Sequence, residues 1–125
     1  MILARLVFQV SLKKYFPEVK NKIGQKMKLA FLAYREILDD RVSKALDELE
    51  IDYYTEWEEV KGKGHKTDAH LGNRPFPGYN NVRMIAFNDE DLLEKLIVKI
   101  TELNTIVEKD DDKIRLFQVP LERIV

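Results

Sequence analysis

The sequence contains no cysteine, and its 125 residues include only five glycines, four prolines and one tryptophan. The lack of cysteine excludes disulfide bonds, thiolate zinc sites and cysteine nucleophiles. Neither sign of charge is in excess, since 21 basic residues stand against 22 acidic ones. This balance argues against broad electrostatic binding of nucleic acid, so we expect no nucleic-acid partner.

Long hydrophobic runs are also missing. No apolar stretch approaches the roughly 18 residues that a membrane-spanning helix needs, and the apolar N-terminus has no small-residue cleavage pattern of a secretory signal. The chain is 45% hydrophobic and 34% charged, which is typical of a globular domain large enough to bury a core. The sequence therefore predicts a cytoplasmic protein.

One stretch, residues 60–81, departs from this ordinary composition. It contains four of the five glycines, two of the four prolines and both histidines. No hydrophobic period of 2.0 or 3.6 residues runs through it, so it is predicted to be a loop. Loops of about twenty residues are uncommon in compact domains and are usually functional or disordered. We expect the function of the protein to lie here.

From residue 27 onward the hydrophobic pattern predicts strand, helix, strand, long loop, strand, helix, strand. Asp39 or Asp40 is predicted to cap the first helix, and Asn88 or Asp89 the second. Pro120 is predicted to end the last strand. The strands are expected over residues 27–34, 52–60, 82–87 and 113–119.

This order predicts an α+β fold, a ferredoxin-like βαββαβ sandwich. Its four-stranded antiparallel sheet would carry two helices on one face and the long loop between strands 2 and 3. Apolar residues occupy both faces of the strands, so we expect an oligomer to cover the open face. Residues 1–26 are predicted to be an N-terminal extension, with a strand over 2–10 and a short helix over 12–23 that contains Pro17. Two interpretations stay open: Met27 is the natural start of the protein, or the extension is a genuine added strand and helix.

Two motifs in this frame resemble the PII signalling proteins, also called nitrogen regulatory proteins. The run E-V-K-G-K-G at residues 59–64 matches the base of the PII T-loop, and D-D-D-K-I at residues 110–114 falls where PII proteins have the B-loop and its phosphate-contacting lysine. The run A-H-L-G-N-R-P-F-P-G-Y-N-N at 69–81 is similar to a divergent PII-like group often encoded beside heavy-metal efflux pumps. The resemblance covers residues 27–125.

The resemblance implies a homotrimer that binds a small anionic effector, such as ATP, ADP or AMP, at clefts between subunits. The loop of residues 61–80, from Lys61 onward, would dock on a transporter or an enzyme, and the chain would meet a membrane only indirectly, through a transporter. Aspartates replace the B-loop glycines, so we expect repulsion of a triphosphate and a loss of the backbone freedom that glycine gives. The candidate effector-binding residues are Gly62, Lys63, Gly64, His65 and Lys113.

Simpler interpretations accompany several of these residues. Gly62 and Gly64 are also what a plain hairpin would use. Imidazoles and a carboxylate suit zinc, copper or nickel, but a flexible loop arranges ligands poorly, so we expect no metal at His65, Asp68 and His70. The loop cations are equally typical of a solvated surface; they are Lys61, Lys63, Lys66 and Arg74.

The aromatic and acidic residues near the loop also have more than one possible role. Phe76 and Tyr79 are predicted either to contact a partner protein or to hold the loop against the protein. Trp57 and Tyr53 are predicted to be core or subunit-contact residues, and Glu56 and Glu58 to line a solvated sheet edge.

No nucleophile–base pair or phosphate-transfer loop appears in the sequence, so we expect no enzyme. The leading hypothesis is a PII-like regulatory protein. One alternative is a metal-responsive binding protein that acts through His65 and His70 and is linked to heavy-metal efflux. A second alternative is a structural, oligomer-forming module.

Overall fold

A computed structural model describes residues 26–63 and 78–125. The strands of its one sheet lie in the order β2-β3-β1-β4, and each neighbouring pair is antiparallel. This is the predicted ferredoxin-like topology. The elements are β1 (Met27–Arg35), α1 (Asp39–Glu48), β2 (Thr55–Val60), β3 (Asn80–Phe87), α2 (Glu90–Thr105) and β4 (Arg115–Leu121), with 3-10 turns at Glu36–Leu38 and Asp110–Asp112. The predicted N-terminal strand and helix lie outside the described residues.

Alternation along the central strands places one face of the sheet in the core. On β1 the buried apolar side chains are Ala30, Leu32 and Tyr34, and on β3 they include Ile85 and Phe87. Both helices cover this face with apolar side chains at helical spacing. The helix residues in the core are Val42, Leu46, Leu93, Leu96 and Ile100. In the described parts of the chain, no helix is long and apolar enough to cross a membrane.

The two helix starts differ. Asp89 caps α2 as predicted, because its carboxylate accepts hydrogen bonds from the backbone N–H groups of Asp91 and Leu92 at 2.9 and 3.3 Å. The prediction that Asp39 or Asp40 caps α1 is wrong. Leu38 is the N-cap and makes no side-chain capping bond. Asp39 is instead the first helical residue, and its carboxylate accepts hydrogen bonds from side chains of the sheet.

All four strands differ from the prediction at one boundary or both. β1 ends at Arg35 rather than at residue 34, and β3 begins at Asn80 rather than at residue 82. β2 begins at Thr55 rather than at residue 52. β4 begins at Arg115 and continues through Pro120, which pairs with Lys28 of β1. Proline has no N–H to donate, yet it is tolerated in β4 because this strand lies at the edge of the sheet.

The end of α1 has a left-handed residue that is not glycine. Glu50 has φ 59°, and its N–H donates to the carbonyl of Asp47 while the N–H of Ile51 donates to that of Leu46, both at 2.9 Å. This is the Schellman arrangement, in which glycine is the usual residue because a Cβ is strained there. Ile51 and Leu46 are both buried in the core, as the motif expects.

Replacing Glu50 with glycine should therefore stabilise the protein. We expect Glu50→Gly to raise the free energy of unfolding by about 1 kcal/mol, because the left-handed strain of about 1–2 kcal/mol exceeds the entropy that glycine adds to the unfolded chain. Urea denaturation measures the change. Lys44→Gly, at an exposed position within α1, is the control and should destabilise by up to about 1 kcal/mol. Equal losses in both variants would contradict the assignment.

Candidate functional site

The predicted loop leaves and rejoins the sheet at one end, beside the turn that follows β1. β2 ends at Val60 and β3 begins at Asn80, which pairs with Arg35 at the end of β1. The backbone N–H of Glu36 donates to the carbonyl of Tyr79 at 3.1 Å. The N–H of Tyr79 donates in turn to the Glu36 carboxylate at 3.3 Å. The base of the loop is therefore bonded to the 3-10 turn Glu36–Leu38.

The 3-10 turn Asp110–Asp112, which we call the acidic turn, lies at the same end of the sheet. Its carboxylates form ion pairs with nearby cations. The Lys113 ammonium is 3.2 Å from the Asp110 carboxylate, and the Arg35 guanidinium is 3.1 Å from that of Asp112. The Arg35 side chain is only 8% exposed, whereas that of Lys113 is 35% exposed. Asp110 thus competes with any ligand anion for Lys113.

The predicted effector-binding residues are not brought together within one chain. Gly62 and Lys63 follow β2 and Lys113 precedes β4, and these strands are the two opposite edges of the sheet. Three strand spacings of about 4.8 Å separate the edges. A site that uses both groups at once therefore needs a second chain or a large ligand. Gly64 and His65 lie outside the described residues.

The strand that enters the loop is irregular just before it ends. Trp57 pairs with Val82 and Val60 with Asn80, so β2 has one more residue than β3 over this interval. The bulge contains Glu59 at φ 59°. Next to it, a Cβ on Gly62 would collide with the side-chain amide of Asn80. A larger residue at position 62 would therefore require the Asn80 side chain to move, and bulges of this kind often lie beside functional sites.

A buried arginine connects the elements at this end of the sheet. Arg83 is 2% exposed, and its guanidinium donates to the Tyr34 hydroxyl at 2.9 Å, to Asp39 at 2.8 Å and to the Ser43 hydroxyl at 2.7 Å. Its Nε lies 3.6 Å from a Glu56 carboxylate oxygen that has no hydrogen-bond partner. The side-chain amide of Asn81 donates to the Asp39 carboxylate at 3.3 Å. We call this group the Arg83 cluster; it consists of Tyr34, Asp39, Ser43, Glu56, Asn81 and Arg83.

The pKa values of the two carboxylates in the Arg83 cluster are shifted in opposite directions: that of Asp39 is lowered and that of Glu56 is raised. Burial raises the pKa of Asp39, but hydrogen bonds from Tyr34, Arg83 and Asn81 outweigh burial and hold that pKa below its ordinary value. Burial also raises the pKa of Glu56; together with the nearby charges of Asp39 and Glu58, burial outweighs the lowering effect of the Arg83 charge. Burial and the bond to Asp39 raise the pKa of Tyr34, which keeps its hydroxyl neutral.

These directions predict opposite responses to pH. Because the pKa of Asp39 is depressed on folding, the unfolded chain binds more protons, and the stability Asp39 contributes is present above about pH 4 and is lost on acidification. Because the pKa of Glu56 is raised, its ionised form disfavours the folded state above that pKa. We expect Asp39→Asn to lower the unfolding midpoint at pH 7 and Glu56→Gln to raise it. Both differences from wild type should shrink towards pH 3 in a series of thermal melts, and differences of the same sign would contradict the assignment.

The Arg83 cluster was not predicted from the sequence, although a signal exists. Period-two alternation places Arg83 on the same face of its strand as Ile85 and Phe87, which face the core. A charged residue at a core position requires partners. The prediction that Glu56 lines a solvated edge is wrong, because its side chain faces Arg83.

The remaining candidate residues from the sequence lie at exposed or partly buried positions, or outside the described residues. Trp57 and Tyr53 are 46% and 41% exposed, so the prediction of a core position is wrong for both, and subunit contact stays a prediction. Tyr79 is partly buried and bonded to Glu36. Within residues 26–63 and 78–125, no group of three potential ligands could hold a metal ion. The remaining predicted residues lie outside these ranges: Lys66, Asp68, His70, Arg74 and Phe76.

No known family profile matches the sequence, and no curated protein matches it. Solved structures do. CPII from Thiomonas intermedia K12, bound to ADP and bicarbonate, aligns with a TM-score of 0.56 and 13% identity over 78% of this chain and 89% of CPII. A putative PII-like signaling protein from Thermus thermophilus aligns with a TM-score of 0.52 and 13% identity over 76% of this chain and 85% of that protein. The chain therefore has the ferredoxin-like fold of PII-like proteins.

Proposed function

We propose that this chain is a PII-like regulatory protein that acts by binding rather than by catalysis. A small anionic effector, for which an adenine nucleotide is the first candidate, binds between subunits of a homotrimer and controls a partner protein through the loop of residues 61–80. The observation that carries the proposal is the placement of the loop base and of Lys113 at one end of a sheet shared with PII-like structures. CPII, a structure with this fold, binds ADP, AMP and bicarbonate.

The sheet face opposite the helices is apolar, and this supports assembly into a homotrimer. Register pairs Phe31 with both Met84 and Phe117, so these three side chains share the face opposite the helices. Phe117 is 56% exposed. The apolar face continues over neighbouring rows, through Leu29, Val82, Ala86 and Val119. An apolar surface of this extent is typical of an interface, and closed homo-oligomers are its commonest occupants.

Assembly of the subunits would also bring together the two halves of the proposed nucleotide site. Gly62 and Lys113 lie at opposite edges of one sheet, but edges of neighbouring subunits come together when sheets pack around an axis. A nucleotide placed between them meets Lys113 through its phosphates. Asp110 already pairs with Lys113 at 3.2 Å, so the phosphates must displace this carboxylate. We therefore expect weaker binding than a glycine-rich turn would give.

Calorimetric titration with ATP, ADP and AMP tests the proposal. We expect saturable binding of at least one nucleotide, and a loss of about tenfold or more in Lys113→Ala, because a charge-assisted hydrogen bond contributes about 1.5–3 kcal/mol. Asp110→Asn should strengthen binding, since it frees Lys113 from its ion pair. Lys44→Ala, on the outer side of α1, is the control and should bind as wild type does. Absence of binding by all three nucleotides would overturn the proposal.

A further inference from the structure

One chain also contains a cleft of its own, with a volume of about 330 Å³. One wall is formed by the 3-10 turn Glu36–Leu38 and the start of α1, and the other wall by the chain that follows α2. This volume is at the lower end of the range of small-molecule sites, about 300–1,000 Å³. The lining contains apolar side chains and charges of both signs.

The mouth of this cleft has two exposed isoleucines. Ile37 is 67% exposed and Ile106 is 62% exposed, and they lie on the two different segments that form the cleft. Neither belongs to a strand, so the assembly proposed above through the open sheet face does not account for them. Exposed large apolar residues gathered in a concave site are typical of a ligand site rather than of a scattered surface.

The charges of the cleft favour an anion. Three cations line it, Arg35, Arg41 and Lys109, against the two carboxylates of Glu108 and Asp112. Asp112 pairs with Arg35 at 3.1 Å. Arg41 is exposed on the first turn of α1, and among the described residues no hydrogen bond or ion pair engages it. A guanidinium in this position is suited to bidentate binding of a carboxylate.

We propose that this cleft binds a small amphipathic carboxylate, with its apolar chain between Ile37 and Ile106 and its carboxylate on Arg41. The site is separate from the nucleotide site proposed above and does not depend on it. Its wall is connected to the loop, because Glu36, which precedes Ile37, makes two hydrogen bonds to the backbone of Tyr79 at the loop base. A ligand that fixes this turn also fixes the residue at which the loop rejoins the sheet.

An amide NMR titration with sodium hexanoate tests the proposal on the full chain. We expect saturable shifts at residues 37–41 and 106–109, with smaller shifts for acetate, which lacks the chain, and for 1-hexanol, which lacks the charge. Arg41→Gln should weaken hexanoate about five- to tenfold. Lys44→Gln removes a cation one turn further along α1 and outside the cleft, and it should leave the affinity unchanged.

The proposal fails if hexanoate gives no saturable shift, if the shifts fall on the open sheet face, or if Arg41→Gln and Lys44→Gln behave alike. A short peptide ending in Leu-Asp is titrated in parallel. Binding of the peptide without binding of hexanoate would identify a protein-docking cleft and overturn the small-molecule proposal. Loss of nucleotide binding in Lys113→Ala with unchanged hexanoate binding would show that the two sites are independent, as proposed.

Discussion

Replacing Arg83 with leucine is expected to lower the free energy of unfolding by about 3 kcal/mol, because loss of one partner from a buried ion pair leaves uncompensated charge. Arg83 is 2% exposed and donates hydrogen bonds to side chains from β1 and α1, with a Glu56 carboxylate from β2 at 3.6 Å. The Asp39 side chain is 31% exposed, so water relieves part of the penalty and we expect the lower end of the range. Urea denaturation of the purified variant measures it.

A matched control separates this effect from the loss of any ion pair. Lys99 and Glu48 form a pair of similar length, 2.9 Å, on the helix surface. Because solvent screens exposed pairs, Lys99→Met should unfold close to the wild-type midpoint. The double variant Asp39→Asn with Arg83→Leu should lose less than the sum of the two single losses, since each partner loses its counterpart only once. Additive losses would contradict a direct Asp39–Arg83 interaction.

Replacing Phe117 with aspartate is expected to dissociate the assembly. Phe117 is 56% exposed in one chain, so a carboxylate there remains hydrated and the fold should persist. In an oligomer that covers the open sheet face, the same carboxylate would be buried without a partner, at a cost of several kcal/mol. Light scattering should give about 44 kDa for the wild type, a trimer of 14.7 kDa chains, and the mass of a single chain for Phe117→Asp.

The control for this substitution lies on the opposite side of the molecule. Val98 on α2 is as exposed as Phe117, at 55%, but it belongs to the helical layer rather than to the open face. Val98→Asp should keep the wild-type mass. If Phe117→Asp also keeps that mass, the sheet face is not the interface, and a wild type with the mass of one chain would exclude the assembly.

The fold followed from the sequence because its signals are periodic. Alternation along β3 and the apolar spacing of α2 depend on residues close together in the chain, and the order of elements then leaves few topologies. The ends of strands and helices follow less closely from the sequence, because tertiary position there overrides local preference. Pro120 continues β4 because that strand has a free edge. Asp39 does not cap α1 because Arg83, 44 residues further along the chain, takes its carboxylate.

The candidate site was only partly accessible to sequence reasoning. Glycines and lysines mark the loop base and the acidic turn, so Gly62 and Lys113 were identified as candidates. Neither motif by itself shows that the two residues lie at opposite edges of the sheet; that separation follows from the strand order of the predicted fold. The cleft at Ile37 and Ile106 joins two segments about seventy residues apart, and neither segment has a motif that predicts it.

Titration of ADP into wild-type protein and into Phe117→Asp shows whether the effector site lies between subunits. Circular dichroism first establishes that the variant is folded. We expect saturation near one ADP per chain for the wild type and no measurable binding by the folded, dissociated variant. If Phe117→Asp is a single chain and still binds ADP as tightly as the wild type, the site is complete within one subunit and does not lie between subunits.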